Sequence, residues 1–86
     1  MQIEGAVIRE QGHTFAVVVV KPHVTQNQHS ATSAIHGFGS CFPGMPIVLM
    51  SQDSHGRATY YGRPDLSRFL ARVPLRSIPF RRYTFN

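Results

Sequence analysis

Four consecutive valines, Val17 to Val20, constrain this chain more than any other feature. They sit in the run Phe15-Ala16-Val17-Val18-Val19-Val20-Lys21 and leave it no polar face. Branching at Cβ stiffens χ1 and suits a pleated strand better than a helix. The run is short and bounded by turn signals, so it reads as a strand covered on both faces. A second stretch, Pro46-Ile47-Val48-Leu49-Met50, has the same character. These two strands, side by side, are the expected core.

The remaining elements follow from local pattern. Ile3 to Glu10 reads as a first strand, and Gln11-Gly12 as the turn joining it to the valine strand, because glycine supplies the positive φ of a tight hairpin. Gly5 marks a bulge or a close approach of backbones. Pro22 ends the second strand, since it has no ladder donor. Ala31, Ala34, Ile35, Phe38 and Phe42 share one helical face, with Asn27 or Ser30 as the cap. That helix would carry the chain across to a parallel third strand by a right-handed crossover. Asp53-Ser54-His55-Gly56 is a hairpin loop, and Ala58 to Tyr61 a fourth strand. Pro64 and Asp65 open a second helix, Leu66, Phe69, Leu70 and Val73 form its apolar face, and Pro74 stops it. The expectation is an α+β domain over residues 1–74, ordered β-β-α-β-β-α. Its two helices cover a four-stranded mixed sheet of strand order 1-2-3-4. Residues 75–86 form a hydrophobic and basic tail that packs on the domain or on a partner.

At 86 residues there is room for one modest core. Charged residues are 15% of the chain and apolar residues 42%, which argues against disorder. No apolar run approaches the ~20 residues needed to span a bilayer, and no export signal is visible. The single cysteine, Cys41, excludes an internal disulfide framework and fits a reducing compartment, so a cytoplasmic location is expected.

Charge is distributed unevenly. Residues 57–86 hold seven arginines against one acid, Asp65, while residues 1–56 hold two basic residues against three acids. Such asymmetry points to an anionic partner at the C-terminal third, set against the plainer reading of a solvated basic face. Arg57, Arg63, Arg68, Arg72, Arg76, Arg81 and Arg82 are interleaved with Tyr60, Tyr61 and Tyr83. Arginine forks pair with phosphate or carboxylate, and exposed rings stack on unpaired bases. Ile78, Phe80, Tyr83 and Phe85 are too apolar for a free tail. They complete the core or dock on another chain, and the first strand, if at an edge, is a further association route.

Catalytic and metal chemistry find little support. Glu4, Glu10, Asp53 and Asp65 are the whole carboxylate supply, and Asp53 and Asp65 already have turn and helix-start roles. The spacing of His23, His29, His36 and Cys41 matches no zinc pattern. Gly37-Phe38-Gly39-Ser40 lacks the lysine and placement of a phosphate loop. No catalytic residue, cofactor or metal is therefore expected.

The stretch from Pro46 to Met50 and on through Gly56-Arg57-Ala58-Thr59-Tyr60-Tyr61-Gly62-Arg63-Pro64-Asp65-Leu66 resembles the second half of thioredoxin-like domains. The likeness spans residues 46–73, about a third of the chain. It implies a proline opening a strand, an antiparallel partner strand, and a C-terminal helix on the sheet. Met45-Pro46 falls where that family carries a cis-proline. The family's Cys-x-x-Cys is absent, leaving Cys41 without a partner. The chain is also similar to small bacterial proteins of uncharacterised function with a Tyr-Tyr-Gly-Arg-Pro-Asp segment, which implies no activity.

The leading expectation is thus a non-enzymatic protein-interaction module, homodimeric in one form, that uses its basic C-terminal third. The alternatives are a weak binder of single-stranded nucleic acid through the Arg/Tyr set, and a thioredoxin-like derivative with a thiol role for Cys41.

Overall fold

The valine strand lies at the centre of the sheet, and its neighbours explain its composition. A computed structural model of the chain describes residues 1–10 and 12–85. Its strands are β1 (Gln2–Glu10), β2 (His13–Val19), β3 (Ile47–Gln52), β4 (Ala58–Tyr61) and β5 (Arg81–Thr84). The helices are α1 (Pro22–Thr25), α2 (Gln28–Phe38) and α3 (Pro64–Ala71), with a 3-10 turn over Leu75–Ser77. The sheet runs β4-β3-β2-β1-β5. β2 pairs parallel to β3, with Val17 opposite Val48 and Val18 opposite Leu49, and antiparallel to β1. β3 with β4, and β1 with β5, are antiparallel.

Both faces of this mixed sheet are covered, and by different helices. On one face Ala6, Phe15, Val17, Val48 and Met50 pack beneath Leu66 and Leu70 of α3 and beneath Ile78. On the other, Ile3, Ala16, Val18, Ile47 and Leu49 pack beneath Ala31 of α2 and beneath Phe42. A central strand buried on both sides has no use for alternation, so β2 and β3 read as unbroken apolar runs.

The helices carry the signals expected of them. The Ser30 N–H donates to Asn27 Oδ1 at 3.0 Å, which makes Asn27 the cap of α2. Pro64 opens α3, Asp65 lies in its first turn, and Leu66 and Leu70 are its buried residues. α1 is a one-turn helix that the sequence reading did not anticipate, opened by the proline that ends β2. The Thr25 hydroxyl lies 2.7 Å from that of Ser51, so the buried Ser51 hydroxyl is satisfied.

Several expectations need correction. The sheet has five strands rather than four; β1 to β4 lie side by side in the order 1-2-3-4, and β5 adds along the outer side of β1, so the full order is 5-1-2-3-4. The tail, expected as a segment outside the sheet, supplies its fifth strand: β5 starts after Pro79 and lies at an edge, where a nearby proline is tolerated. β1 is consequently not an edge strand and offers no association route. No peptide bond among the described residues is cis, Met45–Pro46 included. Gly12 has the positive φ expected of the hairpin, 80°, whereas Gln11 lies outside the described residues.

Gly5 is a close-approach point. It is buried, sits opposite Val18 on one side and Arg81 on the other, and a Cβ there would fall 2.6 Å from the Val17 carbonyl oxygen. Gly62 is a milder case, with a Cβ at 3.1 Å from the Ile47 carbonyl oxygen and Val48 Cα.

Candidate functional site

The arginines divide into two groups according to what the fold places beside them. At the β3–β4 turn, Asp53 Oδ1 accepts from the backbone N–H groups of His55 and Arg57, both at 2.9 Å, while Arg57 Nε lies 3.5 Å from Asp53 Oδ2. At the start of α3, Arg63 grips Asp65 with two parallel bonds, Nε to Oδ1 at 3.1 Å and Nη2 to Oδ2 at 2.7 Å. This fork holds the Asp65 carboxyl down to about 2, with the Arg63 side-chain bond as the first cause. Arg57 and Arg63 are therefore already matched by carboxylates.

Arg68, Arg72, Arg76, Arg81 and Arg82 are not. All five are exposed, and among the described residues none forms an ion pair. They follow the chain from α3 through the 3-10 turn into β5. Arg82 lies opposite Glu4 in the β1–β5 ladder without closing to an ion pair. Arg81, one residue earlier and on the other face, lies over the ring of Tyr83, with its guanidinium carbon 5.4 Å from the centroid.

The tyrosines do not form a common platform. Tyr60 packs with the α3-side cluster and Tyr61 with the α2-side cluster, so neighbouring residues of one strand point to opposite faces. Both are half-buried, and burial raises the Tyr60 phenol above its ordinary value. Tyr83 shares the α2 side with Tyr61 but lies at the opposite edge of the sheet. Its ring meets Phe42 edge-on at 5.3 Å and stacks with Phe85 at 6.2 Å. β4 and β5 are opposite edges of the sheet, four strand spacings or about 19 Å apart. The Arg/Tyr set that looks continuous in sequence is split across that width.

The apolar tail residues lie against the protein's own core. Ile78 is buried and Phe80 half-buried on the α3 side, while Tyr83 and Phe85 cover Phe42 on the α2 side. Among the described residues, Met1 is the only large hydrophobic side chain that is exposed. Cys41 is half-buried against the α2-side cluster.

One feature escaped the sequence reading. A cavity of about 150 Å³ opens between the end of the β1–β2 hairpin and the start of α3, lined by Glu10, His13, Phe15, Asp65, Leu66 and Phe69. Two of the chain's four carboxylates thus flank an apolar floor. The residues are contributed by segments fifty or more positions apart, and no local spacing signals them. Among the described residues no three His, Cys, Asp or Glu side chains are grouped to hold a metal ion, and no helix is long and apolar enough to cross a membrane.

Comparison with family models, with curated proteins and with solved structures returned no match.

Proposed function

We propose that this protein is a non-enzymatic binding module whose basic C-terminal third takes up an acidic segment of a partner protein. The observation that carries the reading is the division of the arginines. Asp53 and Asp65 occupy Arg57 and Arg63, whereas five arginines from Arg68 to Arg82 stand exposed and form no ion pair among the described residues. Exposed guanidinium groups are weakly hydrated forks suited to bidentate capture of carboxylates.

A protein partner fits better than single-stranded nucleic acid. Base stacking needs exposed rings beside the cations, and Tyr60 and Tyr61 are half-buried on opposite faces. A second copy of the chain fits less well than either. The apolar tail is spent on the protein's own core, and two copies with net charge +5 repel.

The test is fluorescence anisotropy of a labelled glutamate-rich peptide against the wild-type chain and two variants. Arg81→Gln with Arg82→Gln weakens binding several-fold, and Arg57→Gln leaves it within error. Affinity falls as salt rises from low to moderate strength, since the Debye length shortens to ~8 Å at physiological ionic strength. Equal losses in the two variants would refute the division of the arginines. Binding of a single-stranded oligonucleotide in preference to the peptide would replace the acidic segment with nucleic acid.

A further inference from the structure

The β1–β5 ladder fixes which backbone groups of β5 remain available. The Met1 ammonium donates to the Phe85 carbonyl at 2.8 Å, and the Phe85 N–H donates to the Met1 carbonyl at 2.8 Å. Met1 and Phe85 therefore form a closely spaced, doubly bonded pair. In an antiparallel ladder such pairs alternate with unbonded ones. Ile3 with Tyr83 and Gly5 with Arg81 are the next bonded pairs, so Arg81, Tyr83 and Phe85 turn their N–H and C=O groups inward to β1. The N–H and C=O groups of Arg82 and Thr84 point the other way. β5 is the last strand of the sheet, and both residues are exposed. Four strong backbone groups thus face outward along one short edge.

We infer that β5 is a docking edge, on which an extended acidic segment of a partner adds as a sixth strand through the outward N–H and C=O groups of Arg82 and Thr84. This rests on the acidic-partner reading and specifies how that partner is held. Charge complementarity selects both the edge and its occupant. The sheet's other edge, β4, is flanked by Arg57 and Arg63, whose charges Asp53 and Asp65 already match. β5 carries Arg81 on one face and Arg82 on the other, both without an ion pair among the described residues. An added strand would therefore run between two unmatched guanidinium groups. Arginines on an edge disfavour pairing with a second basic copy and favour a strand bearing carboxylates. The faces differ in character as well. Arg82 and Thr84 are polar, whereas Arg81 is followed on its face by the half-buried rings of Tyr83 and Phe85. The fitting strand alternates, with acids on the Arg82 face and apolar residues beside Tyr83 and Phe85, the two-residue period of strand addition.

The experiment uses the full chain and a capped heptapeptide of alternating glutamate and valine, followed by amide NMR. The result expected is slowed exchange, at least ~10-fold, of the Arg82 and Thr84 amides on binding, with the Arg81 and Tyr83 amides little changed. Two further peptides are N-methylated at alternate residues, one at the glutamates and one at the valines. One of the two keeps its affinity and the other loses at least ~10-fold, because only one set of amides faces β5. Thr84→Pro removes one outward donor without breaking the β1–β5 ladder, a change that an edge strand tolerates. It retains the wild-type spectrum away from β5 and weakens the parent peptide. Equal binding of both methylated peptides, or binding without protection at Arg82 and Thr84, overturns strand addition while leaving the acidic-partner reading in place. Failure of the parent peptide to bind at low salt overturns both.

Discussion

Replacing Gly5 by alanine tests the packing of β1 between β2 and β5. A methyl group there would fall 2.6 Å from the Val17 carbonyl oxygen, a separation that real Cβ atoms essentially never adopt. The obstructing atom is backbone, so no side chain can rotate away. β1 and β2 must part by at least ~0.4 Å in an interior packed to crystal density. Overpacking of this kind costs about 1–3 kcal/mol. Against it stands a gain of about 0.4–1 kcal/mol, because alanine restricts the unfolded chain more than glycine does. The net expectation is a loss of about 1–2 kcal/mol. With a urea slope of ~1 kcal/mol/M for a chain this small, the unfolding midpoint falls by about 1–2 M. The melting temperature falls by about 4–16 °C.

Gly37 is the control, since a Cβ there meets nothing within 4 Å and the residue lies in α2 with an ordinary helical backbone. Gly37→Ala should stabilise the fold by about 0.5–1 kcal/mol through helix propensity. Circular dichroism during urea unfolding reads both variants. A Gly5→Ala protein as stable as the wild type would refute the close approach, and with it the register of β1 on β2.

Three further perturbations address separate parts of the fold. Asn27→Ala removes the side-chain acceptor that caps α2 and should cost about 1 kcal/mol in urea unfolding, with no change in the sheet's amide spectrum. Phe42→Ala opens a cavity beneath Tyr83 and Phe85 and should cost about 3–5 kcal/mol, read as a fall in melting temperature with loosened amide protection in β5. Because the Asp65 carboxyl is held down to about 2 in the folded chain, the Arg63–Asp65 contribution is complete above the ordinary carboxylate range. It is lost as pH falls toward about 2. Arg63→Gln should return the Asp65 carboxyl toward its ordinary value, read by carboxyl carbon NMR, and remove that part of the acid dependence.

Much of the fold was legible because its signals are local. The valine run, the Asn27 cap, the Pro64-Asp65 helix start and the period-2 and period-3.6 patterns all depend on residues within a few positions of one another. β5 was not legible for the converse reason. Its partner β1 lies about eighty residues away, and the preceding proline masks a short strand that is acceptable only at an edge. The alternation Arg81, Tyr83, Phe85 against Arg82, Thr84 was present, but its meaning depends on Phe42 and Ile3 waiting on one face. For the candidate site, the charge asymmetry was readable from composition. Which arginines are matched was not, because that follows from a turn geometry at Asp53 and a two-residue fork between Arg63 and Asp65. The cavity between Glu10, His13 and Asp65 forms only when the hairpin and α3 meet.

The most direct test of the central claim, that the unmatched arginines take an acidic protein segment, is a paired amide NMR titration. One arm uses the glutamate–valine peptide and the other a mixed single-stranded oligonucleotide, each at low and moderate salt. The account predicts peptide-induced shifts confined to Arg76–Thr84 and α3, weakening with salt, and weaker or scattered shifts from the oligonucleotide. Oligonucleotide shifts centred on Arg57–Arg63, with none from the peptide, would contradict it.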